Sequence, residues 1–172
     1  MDLGLSGRRA LVTGGSQGIG FACAKLLAQE GCDLVLAARG EEALARAKAE
    51  IEGLAPKVRV ETEASDLSKD EAVPGLAGRH GERIDILINN AGAIPGGTLA
   101  DIDQARWRAA WELKMFGYIG MTRAFYASMA VRRKGCHHQH HRLGRRAHER
   151  FLHRRLDRQC RADGVHPRAR SR

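Results

Sequence analysis

One junction constrains this chain more than any other feature. A short apolar run, Ala10-Leu11-Val12, passes through the turn Thr13-Gly-Gly-Ser-Gln-Gly-Ile-Gly20 into a new pattern. An apolar run closed by glycines reads as a buried strand. From Gly18 the apolar residues Ile19, Cys23, Leu26 and Leu27 recur at helical spacing, and Gly31 is placed to end that helix. A strand that enters a helix through a turn poor in side chains lets the main chain approach a diphosphate closely. The helix start behind it offers N–H groups and a partial positive charge. The glycine spacing is G-x-x-x-G-x-G, carried by Gly14, Gly18 and Gly20, rather than the G-x-G-x-x-G of the common dinucleotide fingerprint. A glycine-rich turn without a ligand is the plainer alternative.

The alternation continues. Residues 32–38 (CDLVLAA) read as a second buried strand, and residues 41–54 as a helix with Leu44, Ala47 and Ile51 on one face. Residues 57–62 (KVRVET) alternate Val58 and Val60 as a third strand. A weaker helix covers part of 69–80, disturbed by Pro74 and Gly75, and residues 84–90 (IDILINN) form a fourth strand. A long helix follows, on which Trp107, Trp111, Met115, Tyr118, Thr122, Phe125 and Met129 recur at steps of three and four. Alternating strands and helices with right-handed crossovers predict an α/β, doubly wound parallel sheet of the Rossmann type. The expected sheet has four strands and is incomplete.

Composition divides the chain in two. Residues 1–131 hold 15 Lys/Arg against 17 Asp/Glu, whereas residues 132–172 hold 14 against 3 and seven of the eight histidines. The predicted organisation is a dinucleotide-binding domain over 1–131 and a basic, poorly ordered tail over 132–172, whose high charge and low hydrophobicity suit a solvated segment. No stretch approaches the roughly 18 apolar residues of a membrane span, and the first residues show no signal-peptide pattern. A cytoplasmic location without membrane association is expected. Cys23, Cys32, Cys136 and Cys160 show no close pairing, so a disulfide framework is not expected.

Three motifs in register carry a resemblance. Thr13-Gly14-x-x-x-Gly18-x-Gly20, the Asp66-Leu67 pair after the third strand, and Asn89-Asn90-Ala91-Gly92 after the fourth are similar to those of the short-chain dehydrogenase/reductase family. The resemblance covers roughly the first 130 residues. It implies hydride transfer between a nicotinamide cofactor and a small-molecule carbonyl or alcohol. Cofactor contacts are implied for Thr13, Gly14, Ser16, Gln17, Gly18, Ile19, Gly20, Asp66, Leu67, Asn90, Ala91 and Gly92. Ala38 stands where NAD-preferring members carry aspartate, and Arg39 follows. A guanidinium suits a ribose 2′-phosphate, so NADP is favoured over NAD.

The family's catalytic set is a tyrosine acid/base, a lysine four residues later, a serine, and an asparagine on the long helix. A phenol with an ordinary pKa of about 10 needs a nearby cation to exchange protons near neutrality. Tyr118 and Tyr126 are the two tyrosines here, and Thr122 and Ala130 stand at their +4 positions. Lys114 occupies the asparagine position and is the one candidate catalytic residue, as a relocated cation. The chain is therefore expected to be catalytically incompetent as written, and a family-type homo-oligomer is doubtful.

The tail answers to a codon argument. If His137-His138-Gln139-His140-His141 is encoded CAT-CAT-CAA-CAT-CAT, reading one nucleotide later gives Ile-Ile-Asn-Ile followed by Ile or Met, a buried strand of the kind the family places after its long helix. A departure from the ancestral frame near Lys134–Cys136 is the expectation. A metal site is not expected, because the closely spaced cysteine pairs of structural zinc sites are missing and adjacent histidines point apart on a strand. A non-catalytic basic protein binding nucleic acid or another anionic partner is the alternative function. Phe151 is the sole aromatic residue of the tail, which disfavours nucleic acid.

Overall fold

The computed structural model describes residues 3–92, 96–98, 100–132 and 135–139. Its elements are β1 (Arg9–Thr13), α1 (Gly18–Gln29), β2 (Asp33–Ala38), α2 (Glu41–Leu54), β3 (Val60–Ala64), α3 (Ala72–His80), β4 (Ile86–Asn89), α4 (Gln104–Trp111), a π-helical turn (Glu112–Phe116), α5 (Gly117–Arg132) and β5 (Cys136–Gln139). The strands run parallel in the order β3-β2-β1-β4-β5. The chain winds outward from β1 through β2 to β3, then returns to the other side of β1. The point where the order reverses lies between β1 and β4, where open sheets of this kind hold ligands at the strand C-termini.

Strands β1, β2 and β4 are buried on both faces, which explains their unbroken apolar runs. On one face Val12, Leu34, Leu36 and Ile88 pack beneath Leu27 of α1 and Leu44 and Ile51 of α2. On the other, Leu11, Val35 and Leu87 meet Leu76 of α3 and Met121 and Phe125 of α5. Gly31 ends the α1 segment with φ +82°, as its place in the sequence suggests. Pro74 is the third residue of α3. A first-turn N–H has no intrahelical acceptor, so a proline there removes nothing from the helix.

Three expectations are corrected. The third strand begins at Val60 rather than Lys57, and Val58 is buried just ahead of it. The long helix is interrupted by the π-helical turn. A wide turn rotates the residues before it relative to those after it. Tyr118, Phe125 and Met129 therefore reach the core, while Trp111 and Met115 of the same sequence pattern are exposed at 59% and 52%. Leu26 of the α1 pattern is exposed as well.

The third correction concerns the sheet, which has five strands rather than four. Cys136 is buried and its N–H donates to Asp85 O at 2.8 Å, and β5 then runs beside β4 from Ile86↔Cys136 to Asn89↔Gln139. A parallel ladder is made by main-chain groups, so histidine and glutamine do not forbid it. The sheet thus crosses the compositional boundary at residue 132. Arg132, the last residue of α5, donates to Ile84 O and lies 3.6 Å from Asp85, tying helix to sheet. The expectations for the rest of the tail fall on residues 140–172 and lie outside the described residues.

Candidate active site and dinucleotide cleft

The site forms where β1 and β4 end side by side. The Thr13 hydroxyl accepts from the N–H groups of Asn90 (2.9 Å) and Ala91 (3.0 Å) and donates to Ile88 O (3.2 Å). A hydroxyl has one donor and two acceptor positions, and all three are used. The Asn90 side-chain amide donates to Thr13 O (3.1 Å) and Gly14 O (3.3 Å). A threonine and an asparagine far apart in sequence thus bind the two strand ends into one rim.

Glycines shape what sits on that rim. Gly14 has φ +66°, and a Cβ there would lie 2.9 Å from Asn90 Nδ2. A Cβ on Gly20 would lie 2.2 Å from Gly14 O, so the first turn of α1 presses against the loop with room for hydrogen alone. Gly18 has φ +60° with open space where a Cβ would project. Gln17 precedes α1 in extended conformation, and no side chain caps the helix. Its first N–H groups therefore face the turn without a side-chain acceptor. Ser16 and Ile19 are half-buried between these glycines. Gly15, which sequence reasoning passed over, is buried against Leu36, and its N–H donates with that of Gly14 to Ala37 O.

The ends of β2 and β3 are joined by the Ser65 N–H to Ala38 O bond. Arg39 is exposed just beyond. Asp66 accepts from the Ser68 N–H and hydroxyl, and these bonds, helped by the Arg39 charge, hold its carboxyl below the usual range. Leu67 is buried in the core with Leu11 and Phe125, so its side chain serves packing.

On the other flank Lys114 lies within the π-helical turn. Its Nζ donates to Tyr118 Oη at 2.7 Å and sits 4.6 Å from that ring's centroid. A Cβ on Gly92 would lie 2.7 Å from Lys114 Cδ. Burial lowers the Lys114 pKa and raises that of Tyr118 well above its ordinary value. Burial thus favours the neutral form of the phenol. Sequence reading named Lys114 and missed Tyr118 as its partner, although the i, i+4 spacing on a helix signals such a pair.

The structure brings Thr13, Gly14, Ser16 to Gly20, Asn90, Ala91 and Gly92 to one rim, with Arg39 and Asp66 on the β2–β3 flank and Lys114 on the β4 flank. The fit to a dinucleotide is physical: a cradle that a Cβ at Gly14 or Gly20 would fill, and an uncapped helix start facing it. Among the described residues no group of three or more His, Cys, Asp or Glu could hold a metal, and no helix is long and apolar enough to cross a membrane.

Residues 8–136 match the family model for short chain dehydrogenases. The chain belongs to the short-chain dehydrogenase family. Similar curated proteins include the uncharacterized oxidoreductase YvrD of Bacillus subtilis, 31% identical over 137 residues, which span 78% of this chain and 51% of that one. Galactitol 2-dehydrogenase of Rhizobium johnstonii is 33% identical over 133 residues, 76% of this chain and 51% of its own. Among solved structures, L-sorbose reductase from Gluconobacter frateurii complexed with NADPH and L-sorbose superposes with a TM-score of 0.74 at 32% identity, covering 81% of this chain and 54% of that chain. A metagenomic short-chain oxidoreductase in complex with NADP gives 0.70 at 36% identity, covering 78% and 62%. The chain spans about half the length of the curated relatives it matches.

Proposed function

We propose that this chain is an NADP(H)-binding member of the short-chain dehydrogenase family that holds the cofactor without turning over a substrate by itself. The observation that carries the reading is the glycine cradle clamped by Thr13 and Asn90. Main-chain N–H groups of the turn beyond Gly15 would take the diphosphate, with the α1 start behind them, since those of Gly14 and Gly15 are held by Ala37 O. Arg39 would pair with the ribose 2′-phosphate beside Asp66, and Ala38 leaves that place without a carboxylate that would repel it. The family relatives solved with NADPH or NADP support the same preference. The bound nicotinamide would supply hydride exchange with a carbonyl or alcohol carbon of a small molecule.

Proton transfer to the substrate oxygen is what these residues leave unfilled. Neither Tyr118 nor Tyr126 has a lysine four residues on, and Tyr118 is buried with its phenol held neutral. The reading-frame departure near Lys134–Cys136 belongs to the same proposal. The family match stops at residue 136, and β5 lies where the shifted frame would read Ile-Ile-Asn-Ile if the histidines are CAT and Gln139 is CAA.

Equilibrium titration by NADPH fluorescence, with thermal stabilisation as a second readout, tests the binding half. NADPH should bind more tightly than NADH, and Arg39→Ala should remove most of that difference. No saturable binding of either nucleotide, or NADH binding the tighter, ends the reading. Steady NADPH oxidation with a panel of ketoses and ketones would overturn the inactive half. Sequencing around codons 130–140 tests the frame: no dehydrogenase-like continuation in the alternative frame ends that idea.

A further inference from the structure

The sheet has one long edge that no described strand covers. In the order β3-β2-β1-β4-β5, β3 is an outer strand. Arg59 O accepts from the Leu34 N–H, and the Ser65 N–H donates to Ala38 O. Residues of a strand turn their main-chain groups to alternate sides, so the odd-numbered residues bond to β2. The N–H and C=O groups of Val60, Thr62 and Ala64 therefore point off the sheet. A row of this kind is a template for another strand. A hollow of about 500 Å³ beside the start of β3, bounded by Glu52, Pro56 and Val60, leaves room for one.

The side chains of the edge select what can pair with it. Glu61 and Glu63 alternate along β3 and share the face toward α3, where Arg9 meets Glu61 and Arg79 and His80 meet Glu63. Their side chains remain 47% and 19% exposed. A carboxylate has about four acceptor positions, so these partners leave capacity on both. Arg59, at the foot of the strand, is turned to Asp33 at 3.7 Å. A second copy of the chain fits this edge poorly. Full antiparallel overlap centred on Thr62 sets Glu61 against Glu63 of the other copy, and like charges directly opposite repel. The edge suits a strand with cations at every second position.

The chain itself carries such a run. It ends Val165-His-Pro-Arg-Ala-Arg-Ser-Arg172. In an extended strand Arg168, Arg170 and Arg172 would fall on one side and the small residues Ala169 and Ser171 on the other. Pro167 has no N–H to give a ladder and marks where pairing would start. The run lies outside the described residues. Residues 140–167, 28 in all, join it to β5. An extended segment of that length reaches ~90 Å, whereas the four strand spacings from β5 to β3 span ~19 Å. A tether of this kind makes docking intramolecular, at an effective concentration of about millimolar order.

We propose that the C-terminal run Arg168–Arg172 docks on the open edge of β3 as an added strand, with its arginines facing Glu61 and Glu63. Main-chain hydrogen bonds at Val60, Thr62 and Ala64 hold it, and the alternating charges choose it. The contact covers an edge through which unfenced sheets otherwise pair with one another.

Amide hydrogen exchange on the full chain, read residue by residue by NMR, tests the docking. The Thr62 and Ala64 N–H groups should exchange about tenfold more slowly in the wild type than in the triple variant Arg168→Ser, Arg170→Ser, Arg172→Ser, the order expected for one or two net hydrogen bonds. The Glu61 and Glu63 N–H groups, bonded to β2 in both proteins, should exchange alike. Glu61→Gln should give a smaller loss of protection, and about 0.5 M salt should reduce it by screening the charges. A peptide of residues 165–172 added to the triple variant should restore protection at Thr62 and Ala64, and the same peptide with serine at its three arginine positions should not.

Equal exchange at Thr62 and Ala64 in the wild type and the triple variant overturns the proposal. Protection that rises with protein concentration also overturns it, because the edge is then covered by another copy. An unchanged melting temperature for the triple variant guards against a folding difference as the cause.

Discussion

The two flanks of β1 differ in how far their polar groups are resolved. On the β1–α1 flank Thr13 uses all three hydrogen-bonding positions and Asn90 uses both amide hydrogens. On the β4–α5 flank the helix is broken by a π turn, and Trp111, Met115, Phe116 and Ile119 are exposed around it. There Asn89 is fully buried, and its Oδ1 has no hydrogen-bond partner among the described residues even though its amide donates to Thr122 at 3.0 Å. Buried polar atoms are rarely left so. The contrast teaches that the Thr13–Asn90 clamp meets its own polar groups, whereas Asn89 on the other flank carries a buried oxygen that the described residues do not pair.

The largest effect should come from filling the cradle. Gly20→Val would drive a side chain into Gly14 O and the Asn90 amide, so binding should be lost and the fold weakened by about 1–3 kcal/mol, the usual range for overpacking. Calorimetric unfolding and NADPH titration check both. Phe125→Ala, on the other flank, should cost about 3–5 kcal/mol of stability by opening a cavity under α5. If the flanks are as distinct as proposed, NADPH affinity measured well below the variant's melting point should change little.

Thr13→Val should cost about 1–3 kcal/mol, because the Asn90 and Ala91 N–H groups lose their acceptor at a buried site. It should also weaken nucleotide binding, unlike Phe125→Ala. The smallest effect concerns pH. Burial alone would raise the Glu63 carboxyl, but hydrogen bonds from Arg79 and the close approach of His80 outweigh it and hold the pKa below the ordinary value of 4.5. A depressed carboxylate adds stability above its unfolded pKa, and that stability is lost as pH falls through the folded one. Glu63→Gln should therefore flatten the acid limb of the stability curve and leave neutral-pH nucleotide affinity unchanged. An acid limb identical to that of the wild type would remove Glu63 from the account.

Much of the nucleotide flank was legible because its rules are local. Glycine positions, an apolar run and a helical period sit within the 18 residues from Ala10 to Leu27, and backbone sterics translate the glycines directly into a turn. The clamp across to Asn90 was legible only as a motif, since no local rule joins residues 77 positions apart. Two features were hidden for physical reasons. A π turn leaves the apolar spacing nearly unchanged while rotating the face, so Trp111 and Met115 read as core. β5 carries no apolar alternation, because its pairing rests on main-chain hydrogen bonds to β4, so Cys136–Gln139 read as tail.

The Asn90 side chain has a consequence for how a nucleotide would arrive. With the Asn90 amide donating to two carbonyls of the turn, the curvature at Gly14 is held from within the chain. A ligand meeting an already rigid receptor surrenders its own freedom and little of the protein's. Association there should look like docking onto a finished surface, with a modest entropy loss and a rate governed by encounter rather than by rearrangement of the loop.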